Sequence, residues 1–148
     1  MRQRESELPS TTIPAQVRTR VRALDQRCCA YCHTPEELTV TTFEVDHIVQ
    51  VSAGGETQPD NLCLTCPSCN RHKRARQFVS IPEVEQVIAL YHPRRQVWSA
   101  HFAWSDDDTQ LVGLTLVGQA TIQALHVNRP QMIRLRGMWL KLELFPPD

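Results

Sequence analysis

The sequence is marked first by what it does not contain. No apolar run approaches the roughly 20 residues that cross a bilayer as a helix. The opening residues, MRQRESELPSTT, are charged and polar and hold no apolar core of a secretory signal. Sixteen Lys and Arg are balanced by 16 Asp and Glu, so no global charge draws the chain towards nucleic acid. No internal repeat or low-complexity tract interrupts its 148 residues, a length that suits one compact domain or a small catalytic module with an appendage. A hydrophobic content of 41% is ordinary for a soluble globular protein and argues against disorder throughout. Together these features point to a cytoplasmic protein with no membrane association.

What the chain does have is six cysteines and an uneven placement of charge. In a reducing compartment, C-x-x-C spacing marks metal ligands more often than disulfides. Cys29-x-x-Cys32 and Cys66-x-x-Cys69 form two clips that can close on one tetrahedral ion, the usual arrangement of structural zinc. Such a closed thiolate site serves shape rather than catalysis, because no coordination position is left open. Cys28 and Cys63 leave the ligand set unsettled, since Cys63-x-x-Cys66 is also a valid clip. Arginines 18, 20, 22 and 27 cluster before the first clip, and Arg71, Lys73, Arg74 and Arg76 cluster after the last. Phosphates respond to local potential, so a basic surface can coexist with zero net charge.

Residues 1–13 read as a flexible tail. Pro14 suits a helix start, and Val17, Val21 and Leu24 form one apolar stripe that carries the helix to about Arg27. The β-branched run from Thr39 to Val45 predicts a strand leading into Asp46-His47. Gly54-Gly55 marks a turn, Asn61–Leu64 a short extended piece, and residues 70–77 a basic helix. Beyond Ile81 the composition shifts. Val84, Val87, Ile88 and Tyr91 suggest a helix, while Val97–Trp104 and Leu111–Val117 alternate as the strands of a hairpin. Thr121–Val127 and Gln131–Leu142 read as two further helices.

An Asp-His dipeptide is weak evidence alone, and its value lies in its surroundings. The string Phe43-Glu44-Val45-Asp46-His47-Ile48-Val49, then Gly54-Gly55, Asn61-Leu62, Cys66-x-x-Cys69-Asn70 and Lys73 resembles the HNH endonuclease family. The branch it resembles has asparagine as the third signature residue, and the resemblance spans roughly residues 28–74. It favours 66/69 as the second clip, because Asn70 then follows directly.

The fold the resemblance implies is α+β: a ββα-metal core with a structural zinc knuckle, preceded by a helix and followed by a small α/β C-terminal extension. The core occupies residues 14–80 and the extension 81–148. By the same resemblance, Asp46 and Asn70 bind a catalytic divalent cation, His47 is the general base, and Asn61 orients His47. Adjacent strand residues point to opposite faces, so Asp46 and His47 can serve one site only where the strand ends or kinks. Carboxylate and amide oxygens are hard ligands suited to Mg²⁺ or Mn²⁺, with Zn²⁺ or Ni²⁺ as further candidates. Two protein ligands leave room for a phosphate oxygen and water. An imidazole with an unperturbed pKa of about 6.5 can take a proton from water near neutral pH. Arg71, Lys73, Arg74 and Arg76 are candidate phosphate contacts on DNA, which position a duplex without reading sequence. Glu44 shares the strand face of Asp46, as an assisting acid or a plain surface charge. His72 lies about 200° round the helix from Asn70 and is left out of the site.

The second half, with Tyr91-His92-Pro93-Arg94, Trp98, His101-Phe102, Trp104 and Gly113-Leu114-Thr115, resembles the tail of a group of bacterial HNH proteins, and no role comes with that resemblance. Trp98, Phe102 and Trp104 read as core rather than as stacking platforms for bases. The rivals to a nuclease are a non-catalytic, zinc-stabilised DNA-binding or assembly module and a purely structural zinc domain.

Overall fold

A computed structural model describes residues 12–147. The tail expected over residues 1–13 therefore lies, save for Thr12 and Ile13, outside the described residues. The fold is α+β, with three separate two-stranded antiparallel sheets among short helices. No described helix is long and apolar enough to cross a membrane.

Helix α1 (Ala15–Leu24) follows Pro14 and buries Val21 completely, while Leu24 stays half exposed. It stops short of Arg27 because Gln26 and Arg27 adopt left-handed backbone angles that redirect the chain towards the first clip. Strand β1 (Glu44–His47) starts later than the β-branched run predicts. The Thr39 hydroxyl instead donates to the Glu36 and Thr41 carbonyls, a local bonding that competes with strand pairing. Side chains also take the backbone of Phe43: its N–H donates to Glu36 Oε2 and its carbonyl accepts from Arg22. Pairing thus begins one residue on, at Glu44. Strand β2 (Leu62–Thr65) runs antiparallel to β1, with Asp46 opposite Cys63 and His47 opposite Leu62.

Helix α2 spans Pro67–Lys73, three residues earlier than expected and four shorter at its end. Cys66 is its N-cap, accepting the Cys69 N–H on sulfur at 3.3 Å, and Pro67 fills the first position. The predicted helix around Val84–Tyr91 is absent. A hairpin of β3 (Phe78–Ile81) and β4 (Gln86–Ala89) takes its place, because Pro82 and a left-handed Glu85 turn the chain and the flanking Val and Ile suit strands. Position 80–81 falls within β3, so elements run across it. Of the strand expected over Val97–Trp104, residues Trp98–His101 form a single helical turn, α3, and only Phe102–Trp104 extend, as β5. Strand β5 pairs with β6 (Leu111–Gly113) as the predicted hairpin, its turn closed by Asp107, which accepts from Ser105 and Thr109.

Helix α4 (Leu116–Leu125) starts five residues before the predicted one, capped by the Thr115 hydroxyl on the Gly118 N–H. Gly118 is required there, since a Cβ would lie 2.1 Å from the His101 carbonyl oxygen. Helix α5 covers Pro130–Lys141.

Core and extension share one apolar cluster: Cys29, Tyr31, Phe43 and Leu64 pack with Tyr91, Phe102, Leu125 and Val127. A partly buried ion pair joins them as well. Arg94 makes two 2.8 Å bonds to the Asp25 carboxylate, and its Nε donates to the Leu62 carbonyl at 3.0 Å. Asp25 in turn accepts the Leu64 N–H at 2.7 Å. Removing one partner of such a pair leaves an uncompensated charge. Asp25→Ala is therefore expected to lower stability by about 3 kcal/mol, read as a shift of the urea midpoint. A loss below about 1 kcal/mol would show that the extension docks without this pair.

Candidate metal centre and catalytic cleft

Two constellations occupy the ββα region. In the first, the sulfurs of Cys29, Cys32, Cys66 and Cys69 all lie within 4.8 Å of one another, and all four residues are buried. Cys32 and Cys66 are 3.8 Å apart, sulfur to sulfur. A tetrahedral ion with bonds of about 2.3 Å to sulfur requires an edge of about 3.8 Å, so the residues present fit a divalent thiophilic ion. Cys28 and Cys63 stand outside the cluster, which picks out 66/69 rather than 63/66 as the second clip. Burial pushes the Cys29 thiol well above its ordinary range, while hydrogen bonds from Cys29, Cys66 and Cys69 hold Cys32 well below it. Four sulfurs this close cannot all be anionic unless a cation sits among them. The Thr34 hydroxyl, 3.1 Å from Cys32 Sγ, and the Cys69 N–H on Cys66 add the hydrogen bonds that orient thiolates. Burial, with the Asp25 carboxylate adding to it, raises the remote Cys63 to about 12, in keeping with an inert thiol.

The second constellation faces from β1 towards α2. Glu44 and Asp46 share one strand face, and Asn70 Nδ2 donates to Glu44 Oε2 at 3.3 Å. Asn70 is the fourth residue of α2, not its first. The Asp46 carboxylate acts electrostatically on the Lys73 ammonium, whose pKa is nevertheless lowered by burial. Lys73 is 4% exposed, and its Nζ donates to the Ile48 carbonyl at 2.9 Å. It braces the chain just beyond His47 rather than facing solvent. Carboxylate and amide oxygens at partly exposed positions are a donor set suited to a hard divalent ion.

His47 closes β1 and is 7% exposed. Its Nε2 lies 2.9 Å from the Thr57 hydroxyl, a partner that sequence reasoning missed. The Asn61 side chain bonds the loop backbone rather than His47. It clips the intervening loop: Oδ1 accepts the Val49 N–H, and Nδ2 donates to the Val49 and Glu56 carbonyls. Thr57 follows Glu56, so the loop that Asn61 clips also carries the threonine that meets His47. Gly55 completes the clip, because a Cβ there would stand 1.8 Å from the Val49 carbonyl oxygen.

The four basic residues after Asn70 divide. Arg71, Arg74 and Arg76 are exposed and Lys73 is buried, while Arg76 is also tied to the His72 and Lys73 carbonyls and reaches Ala124. His72 turns away from the site, bonding Ser68 and stacking near His126.

Residues 29–76, about a third of the chain, match the family model described as HNH endonuclease. The match contains both clips, Asp46-His47, Asn61 and Asn70, and it implies a nucleic-acid substrate. Comparisons with curated proteins and with solved structures gave no match.

Metal analysis of the purified protein is expected to find about one zinc per chain. Cys29→Ser or Cys69→Ser loses it together with the fold, whereas Cys63→Ser and Cys28→Ser retain it. Zinc loss in Cys63→Ser with retention in Cys69→Ser would reverse the ligand assignment.

Proposed function

We propose that the protein is a metal-dependent endonuclease that hydrolyses DNA phosphodiester bonds. The observation that carries this reading is the bond from Asn70 to Glu44, on the strand that also bears Asp46 and His47, inside the segment that matches the HNH family. Zinc is the ion we assign to the four cysteines. Mg²⁺ or Mn²⁺ is the ion we assign to Asp46 and Asn70, where it would stabilise charge on the phosphoryl oxygens and the departing oxygen.

The chain's own residues then have distinct tasks. With Nε2 of His47 donating to the Thr57 hydroxyl, Nδ1 carries the lone pair that takes a proton from water. The resulting hydroxide forms a bond to phosphorus, the bond to the 3′ oxygen breaks, and that oxygen leaves as a hydroxyl once protonated from solvent. Asn61 and Lys73 hold the loop and the strand exit that set the imidazole's position. Arg71 and Arg74, both exposed, are suited to backbone phosphates without base readout. A reducing, cytoplasmic setting suits six cysteines of which none is in a disulfide.

A non-catalytic, zinc-stabilised DNA-binding module is the second reading, and the burial of His47 favours it. Plasmid cleavage separates the two. The wild type is expected to nick or linearise supercoiled DNA with Mg²⁺ or Mn²⁺ and not with chelator. His47→Ala should slow cleavage by about 10²–10⁴-fold with zinc content unchanged, and Thr57→Val should slow it less. No cleavage in any metal, or full activity in His47→Ala, contradicts the catalytic reading.

A further inference from the structure

A concavity of about 210 Å³ lies where the cysteine cluster, α2 and the start of α5 meet. Cys32, Cys66, Ser68 and Arg71 line it from the core, and Arg129 and Arg136 line it from the extension. Three arginines and no aspartate or glutamate border it, in a chain whose 16 basic and 16 acidic residues balance. Composition does not account for that local excess.

Arg136 contributes to the wall with 0% exposure. Its terminal nitrogens donate to the Thr109 and Val127 carbonyls at 2.9 Å and to Asn128 Oδ1 at 3.2 Å. All three acceptors are neutral, and Nε has no partner. Burial lowers the Arg136 pKa, the side chains of Cys32, Cys69 and Cys66 act on it in the opposite sense, and the guanidinium lies 5.5 Å from the Trp104 ring centroid. Four thiolates around a divalent ion carry a net charge of about −2. Three arginines outweigh it, so Arg71 and Arg129 keep a positive field for something outside. Arg129 is pinned only by a 3.3 Å bond to the His126 carbonyl. The N-terminus of α5, twelve residues long with Arg129 as N-cap, adds its positive end to the same place.

We propose that this concavity holds a backbone phosphate of the DNA at a distance from the cleaved bond, which makes the C-terminal extension part of the nucleic-acid interface. The inference rests on the nuclease reading for its ligand. Arg71 reaches the phosphate from the helix that bears Asn70, and Arg129 reaches it from the extension. The strand is thereby held on two elements whose relative position the cysteine cluster and Arg136 fix.

The test uses the full chain with zinc bound, in a His47→Ala background so that DNA is not cut. A labelled duplex is titrated by fluorescence anisotropy over a range of KCl concentrations. Arg129→Ala is expected to weaken binding several-fold at low salt and to reduce the slope of log affinity against log salt by about one. Arg129→Lys keeps the slope. Arg134→Ala, exposed on the same helix but outside the concavity, leaves affinity and slope unchanged. Circular dichroism and zinc content verify that each variant is folded. Unchanged affinity and slope in Arg129→Ala overturns the proposal, as does an equal loss in Arg134→Ala. A thermal-shift arm uses inorganic phosphate. If phosphate stabilises the parent but not Arg129→Ala while the duplex slope is unmoved, the site takes a free anion and the DNA assignment falls. Plasmid cutting by the wild type with an unmoved slope removes this proposal alone. A lowered slope without cutting removes the nuclease reading alone.

Discussion

Four sulfurs buried within 4.8 Å of one another are the constraint on which the ββα region depends. Sulfur anions so placed repel strongly in a low-dielectric interior, and a bound cation would convert that repulsion into a cross-link between the turn at Cys29–Cys32 and the junction of β2 with α2. Cys66 does two things there: it offers a ligand and it caps α2. Through that cap the metal site determines where the helix begins, and Asn70 is the residue directly after the last ligand. A shift of one residue in the clip would carry Asn70 about 100° round the helix, away from Glu44 and β1. The cysteine cluster thus sets where Asn70 meets Glu44.

The extension is tied to the same frame by charge as well as by apolar packing. Asp25, at the end of α1, bonds both the β2 backbone and Arg94, so the β1–β2 hairpin, the first helix and the second half meet at one carboxylate. Trp98 donates to the Tyr31 carbonyl and stacks on His33 at 3.8 Å, covering the first clip. Arg136 lies on the other side, bonded to the Thr109 and Val127 carbonyls and set over the Trp104 ring. These contacts explain why a segment outside the family match packs as closely as the core itself.

Much of the candidate site was legible in the residues alone, because clips, Asp-His and Asn are recognised by type and spacing, which do not depend on distant packing. The choice between Cys63 and Cys69 was harder, since both spacings are chemically valid, and burial geometry was needed to separate them. Lys73 looked like one of four solvent-facing cations, yet it turns inward to the Ile48 carbonyl, a choice that depends on a loop 25 residues away. Thr57 carries no pattern that could reveal it, as a loop threonine finds His47 only once Asn61 has folded the loop. Beyond Ile81 the elements were often misread. Short apolar runs such as Val84–Tyr91 satisfy helical and strand spacing alike, and Pro82, Glu85 and the Thr115 cap decided the outcome locally.

The central claim is that two chemically different metal sites stand side by side, one closed and thiolate, the other open and built of oxygen donors. Mn²⁺ binding followed by electron paramagnetic resonance, on protein whose zinc content is measured in parallel, tests it most directly. The account predicts one exchangeable Mn²⁺ site per chain that Asp46→Ala or Asn70→Ala abolishes while zinc stays at one per chain. Mn²⁺ binding that persists unchanged in Asp46→Ala, or zinc that departs with it, would contradict the separation of the two sites.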